Sequence, residues 1–123
     1  MQWLLHGNLT PAVRDALVSR GHTGHAGDEL GIDVAAASPA EIVRAAQANQ
    51  WDVLTTDSAL VNAVFDEKIW FNRSIAFLQL EGGDVEQDDA IDRLFERYKR
   101  LTPGRLYTVT GSRVKIRQLP SKP

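Results

Sequence analysis

Residues 4–22 read LLHGNLTPAVRDALVSRGH, and the order of signals along them decides the fold. Leu4 and Leu5, with Trp3 before them, make a short apolar run of the kind that forms a buried strand, and a strand is expected over residues 2–6. Thr10 is a helix-capping residue type, Pro11 suits the first helical turn, and Gly21 suits the left-handed residue that stops a helix. Between them Val13, Ala16, Leu17 and Arg20 follow helical spacing. Strand, tight loop and helix thus follow one another directly. The loop, His6-Gly7-Asn8, lies where many α/β proteins keep a catalytic acid, and a histidine stands there instead.

The same alternation continues. A weak strand, poor in β-branched residues, is expected over 22–26. A loop with a short helical turn near Glu29-Leu30 is expected over 27–37. Ser38-Pro39-Ala40-Glu41 reads as a capping box, with Ser38 as cap, Pro39 as first helical residue and Glu41 reaching back. Ile42, Ala45, Ala46 and Ala48 carry that helix to Asn49-Gln50. Trp51 to Thr55 reads as a strand. Thr56-Asp57-Ser58 opens a helix with Leu60, Val61, Val64 and Phe65 as its apolar stripe. Ile75 to Leu80 reads as a strand buried on both faces, 81–84 as a loop, and Val85 to Leu101 as a long amphipathic helix ended by Pro103-Gly104. Arg105 to Thr110 and Arg113 to Leu119 alternate across Gly111-Ser112, a hairpin signal. Strands alternating with helices predict an α/β fold: a mainly parallel sheet covered by helices, with an antiparallel C-terminal hairpin.

The 123 residues suit one domain, expected over 1–119 with a flexible tail at 120–123. Absence of cysteine excludes disulfides and thiolate metal sites. No basic leader and no apolar run of about 18 residues occurs, so a cytoplasmic location and no membrane partner are expected. The net charge of -2 conceals a polarity. Residues 1–92 hold five Lys/Arg against fifteen Asp/Glu, whereas residues 93–123 hold nine against Glu96 alone. Such a basic end, with Arg113, Lys115 and Arg117 on the hairpin, suits either nucleic-acid phosphates or the acidic remainder of the protein itself.

The stretches LLHGNLTPAVRDALVSRGH, SPAEIVRAAQANQWDVLTTDSAL, IAFLQL and GRLYTVTGSRVKIRQLP resemble, nearly end to end, a family of short bacterial PIN-like proteins. That family begins with a "LLDENL" strand end, a helix and "RGH", continues with "SDEEI" and "TxDxDF", and closes on a hairpin ending in "RxLP". The resemblance implies a three-layer α/β/α unit related to metal-dependent ribonucleases, including toxins of toxin–antitoxin pairs. It also implies an altered site. The family's first Asp corresponds to His6 and the Glu after it to Gly7, while Asn8 and Leu9 are kept. Pro39 replaces another Asp and Glu41 survives. Asp57 is kept, but its companion is Ala59 and the Phe is Leu60.

Phosphodiester hydrolysis with Mg²⁺ or Mn²⁺ needs clustered carboxylates. Imidazole suits Zn²⁺, Ni²⁺ or Mn²⁺ better than Mg²⁺, so His6 with Asp57 would favour those ions. The expected site is therefore His6 and Asp57 as catalytic and metal residues, Glu41 as helper, and Asn8, Arg113, Lys115 and Arg117 as binding residues. Each has a structural alternative: Asp57 and Glu41 as helix caps, Asn8 as a loop hydrogen bonder, His6 as a satisfied buried side chain. His22 reads as structural, and His25 with Asp28 and Glu29 as a possible neighbour of His6. Trp51 and Phe77 read as strand residues. Trp70-Phe71, if exposed, would suit a protein partner or a homodimer contact. Two functions follow. One is a metal-dependent ribonuclease with an altered, weakened site. The other is a catalytically silent module binding RNA or protein. A histidine-centred phosphohydrolase or nucleotide-binding protein has less support, because no Gly-rich phosphate loop follows a strand.

Overall fold

A central strand of a parallel sheet needs apolar residues in succession, because helices cover both of its faces. Strand β1 (Gln2–His6) supplies them, with Trp3 and Leu4 both buried. The computed structural model describes residues 1–31, 33, 36–80 and 83–120. After β1 come α1 (Pro11–Ser19), β2 (Thr23–Ala26), a 3₁₀ turn (Gly27–Leu30), α2 (Pro39–Asn49) and β3 (Asp52–Thr55). Then follow α3 (Ser58–Asp66), β4 (Ile75–Leu78), α4 (Asp84–Arg97), β5 (Arg105–Val109) and β6 (Val114–Gln118). The sheet runs β2-β1-β3-β4-β5-β6, parallel throughout except for the antiparallel β5–β6 hairpin. This is the mainly parallel α/β sheet with a C-terminal hairpin that the strand–helix alternation predicts. The expected 27–37 and 81–84 loops and the tail lie partly outside the described residues.

Alternate strand residues enter two separate clusters. Trp3, Leu54, Ala76, Tyr107 and Val109 pack with Val13 and Leu17 of α1 and with Ile91 and Leu94 of α4. Leu4, Val53, Ile75, Phe77 and Leu106 pack with Ile42 and Val43 of α2 and with Leu60 and Val64 of α3. Each such side chain contributes about 1.5–3 kcal/mol when fully buried. Trp3 also meets Phe95 edge-on, at 6.3 Å between ring centroids. No helix among the described residues is long and apolar enough to cross a membrane.

Several boundaries differ from the sequence expectation. Helix α4 ends at Arg97, four residues early, because Tyr98 turns out of it in an extended conformation. Tyr98 then stands edge-on to Tyr107 (5.4 Å), whose hydroxyl accepts the Thr102 N–H (2.7 Å). Leu101 reaches the core after the chain bends at Lys99 and Arg100. Thr10 takes the N-cap position of α1 without a side-chain cap bond, and its hydroxyl is buried and unpartnered. Trp51 precedes β3 and stacks on His25 (3.9 Å, 3° between planes). Phe71 is buried while Trp70 is 38% exposed, so they are not an exposed pair.

Asp52 opens β3 from inside the protein. Its Oδ1 accepts both the N–H and the O–H of Ser74 (2.8 Å each), and its Oδ2 accepts from Arg73 (3.1 Å). These bonds tie the starts of β3 and β4 together. Removing the carboxylate leaves the buried Ser74 donors unpaired, at about 1–3 kcal/mol for each unsatisfied group. Asp52→Ala is expected to lower unfolding free energy by at least about 2 kcal/mol in urea denaturation; a change below about 0.5 kcal/mol would refute this role.

Candidate functional site

Open α/β sheets bind ligands at the carboxyl ends of strands, where the chain leaves two neighbouring strands in opposite directions. Here those strands are β1, whose chain continues outward to β2, and β3, whose chain continues to β4. Their last residues, His6 and Thr55, face each other in register. Alternation places His6 on the Leu4 face of the sheet, toward the cluster that holds α2 and α3.

His6 is 8% exposed and Thr55 fully buried. The His6 Nδ1 and Thr55 Oγ1 share a hydrogen bond of 2.8 Å. Thr55 Oγ1 also accepts the Asp57 N–H (2.9 Å). With Nδ1–H as donor, Thr55 accepts two N–H bonds and Nε2 keeps a lone pair. With Nδ1 as acceptor of the Thr55 O–H, Nε2 carries the proton. One strand end is further laced to the other. The His6 carbonyl accepts from Thr56 N–H (3.3 Å), and the Asn8 N–H donates to Thr56 Oγ1 (2.7 Å). Gly7 makes this approach possible: its φ is +88°, and a Cβ there would collide with Thr56 Oγ1.

Burial pushes the His6 pKa down, and the negative charge of Asp57 opposes this without reversing it. The imidazole is therefore neutral at pH 7. Asp57 also caps α3, its Oδ1 accepting the Ala59 N–H (2.9 Å). Glu41 shares a hydrogen bond with the Ser38 hydroxyl (3.2 Å) and borders a shallow pocket with Asp33 and Ala37, and makes no hydrogen bond to His6 or Asp57. The structure thus gathers His6, Asp57 and the Asn8 backbone, and leaves Glu41 aside. Mg²⁺ requires several clustered carboxylate oxygens. One neutral imidazole and one carboxylate already engaged with a backbone N–H do not fit that ion.

His25 does not approach His6: its ring bonds Glu29 (2.9 Å) and Gln2 (2.8 Å). His22 is structural, stacked on Phe95 at 4.5 Å and facing the Trp3 indole N–H. Among the described residues, the three acidic side chains close enough to share an ion are Asp88, Asp89 and Asp92 on α4, and Asp92 already pairs with Arg20 (2.7 Å).

Sequence reasoning missed Gln87. This buried side chain of α4 accepts the Thr10 N–H (2.9 Å) and donates to the Asn8 carbonyl (3.0 Å). It clamps the loop that carries His6. The signal was available, since Gln87 shares helical spacing with Ala90, Ile91 and Leu94 on the buried face. The hairpin cations lie apart from the histidine. Lys115 falls in the same cross-sheet row as His6, through Thr55, Phe77 and Thr108, roughly 19 Å away at four strand spacings. Arg117 lies over the Phe65 ring (3.6 Å).

Two outcomes test this arrangement. Burial lowers the pKa of both His6 and His22 in the folded state. The unfolded chain therefore takes up protons first as pH falls through about 6.5, and stability declines below that value. The urea midpoint is expected to be lower at pH 5.5 than at 7.5, and His6→Gln to shrink that difference; an unchanged difference would contradict the placement. Gly7→Ala forces both a left-handed alanine and a collision, and is expected to cost about 1–3 kcal/mol, whereas Gly111→Ala, in open space, stays within about 0.5 kcal/mol. Equal effects would contradict the close approach at Thr56. No protein-family model, curated protein or solved structure matches the chain.

Proposed function

We propose that this chain is a PIN-like domain of three-layer α/β/α form whose nuclease site has been rebuilt around a neutral histidine, and that it works as a binding module in the cytoplasm rather than as a Mg²⁺-dependent ribonuclease. The observation that carries this reading is the buried His6–Thr55 hydrogen bond at the seam between β1 and β3. In the resembled pattern an acid stands at position 6. An acid there would add negative charge beside Asp57, whereas the neutral imidazole adds none and anchors itself to Thr55. Asp57 and Glu41 each serve the helix start they belong to.

A protein partner is favoured over RNA. Lys115 and Arg117 lie on the edge strand β6, and Arg117 is already stacked on Phe65. Acidic residues of α4, Glu86 and Asp89, border the pocket that reaches Gly111 in the hairpin turn. A long phosphate backbone would meet both signs of charge there.

One observation favours a second reading, a weakened ribonuclease. The charge of Asp57 acts on His6, and an imidazole–carboxylate pair suits Zn²⁺, Mn²⁺ or Ni²⁺. Calorimetric titration with Mg²⁺, Mn²⁺ and Zn²⁺, followed by incubation with labelled single-stranded RNA, separates the two. The binding-module reading predicts no heat with millimolar Mg²⁺ and no cleavage. Cleavage that disappears in Asp57→Asn would overturn it and establish the nuclease.

A further inference from the structure

Strand β6 ends the sheet, with no strand on its outer side among the described residues. Its pairing phase is set at both ends. Thr110 N–H donates to the Arg113 carbonyl, and Leu119 N–H donates to the Gly104 carbonyl (2.9 Å each). Hydrogen-bonded pairs alternate along an antiparallel ladder. With the register Leu106↔Arg117 and Thr108↔Lys115, residues 115 and 117 bond inward to β5. Val114, Ile116 and Gln118 therefore present their N–H and C=O groups to the open side. Lys115 and Arg117 project from one face of this strand, and Ile116, 40% exposed, from the other. Lys115 makes no ion pair among the described residues.

We propose that this edge docks an extended acidic segment of a protein partner by strand addition. The backbone groups of Val114, Ile116 and Gln118 supply the ladder. Carboxylates at alternate positions of the incoming strand lie beside Lys115 and Arg117, and an apolar residue between them lies beside Ile116. The charge pattern selects this occupant. A second copy pairing antiparallel through β6 about Ile116 would set Lys115 against Arg117, a repulsive match. Strand β2, the other edge, has the sequence Thr23-Gly24-His25-Ala26 and no acid to offer. Edge lysines commonly guard against self-association, and here the same charges attract a strand of opposite sign. The proposal rests on the reading of the chain as a binding module. It concerns a surface remote from His6, so it fails separately from the silence of that site.

The test uses the full chain, labelled with ¹⁵N, and a blocked heptapeptide of alternating Glu and Val. Amide exchange is expected to slow at Val114, Ile116 and Gln118 on peptide addition. A Lys–Val peptide of the same length should have no effect. Lys115→Glu is expected to weaken the Glu–Val peptide about fivefold or more, reversing one cross-strand charge pair. Ile116→Pro removes an outward N–H without touching the ladder to β5, and should abolish binding. Should Ile116→Pro lose its folded spectrum, the Lys115→Glu result and the exchange pattern still decide. The proposal is overturned by no binding at millimolar peptide, by protection confined to other residues, by a Lys115→Glu variant that binds unchanged, or by concentration-dependent dimers that bury the same amides. Competition by a single-stranded RNA that displaces the peptide and loses affinity in Lys115→Glu would reassign the edge to phosphate binding.

Discussion

The hydrogen bond between His6 and Thr55 closes the seam on which the molecule turns. β1 and β3 are the strands from which the chain departs in opposite directions, so their ends must be held at fixed separation for both loops to fold. A buried imidazole without a partner would be costly there. Thr55 partners its Nδ1, and also holds the Asp57 N–H, so one hydroxyl links β1, β3 and the start of α3. Gly7 follows in a left-handed conformation because the turn must pass against Thr56. Gln87 then secures the same turn from α4, on the opposite side of the sheet from α3.

The proposal of a rebuilt site rests on this economy. The groups available for chemistry at the carboxyl edge are the ones that also maintain local structure. Asp57 caps α3, Asn8 contributes its backbone, and Glu41 meets Ser38. A hydrolytic site built from carboxylates needs charge in excess of what structure consumes. Around His6 the balance runs the other way, with burial favouring the uncharged ring. The docking edge proposed above lies apart from this site, on β6, where Lys115 makes no ion pair among the described residues.

Much of the fold was legible because its signals are local. Trp3 to Leu5 and Ile75 to Leu78 are apolar without interruption, as strands covered on both faces must be. Ser38 and Asp57 announce the helices they cap. The candidate pair His6 and Asp57 was legible from position, since His6 closes β1 and Asp57 opens α3 two residues after β3 ends. What escaped depends on distant partners. Helical periodicity runs on through Tyr98 and Leu101, yet Tyr107 and the core accept both from a non-helical segment. Trp70 and Phe71 are equal hydrophobes by type, and only the packing around α3 and β4 decides that Phe71 goes inside. By residue type Gln87 is one polar residue in an acidic helix. Its meaning comes from the Asn8 carbonyl and Thr10 amide, nearly eighty residues away in sequence.

The central proposal is that a neutral histidine, locked to Thr55, stands at the seam where the resembled pattern has an acid. Long-range ¹H–¹⁵N correlation spectra of the imidazole test it directly, recorded across pH 5–8 (about one unit or more either side of the ordinary histidine value) and with added Mg²⁺. The account predicts that His6 titrates below the ordinary histidine value, that Thr55→Val alters its ring nitrogen shifts, and that millimolar Mg²⁺ leaves them in place. A His6 that titrates at or above the ordinary value, or whose nitrogens move on Mg²⁺ addition, would contradict it.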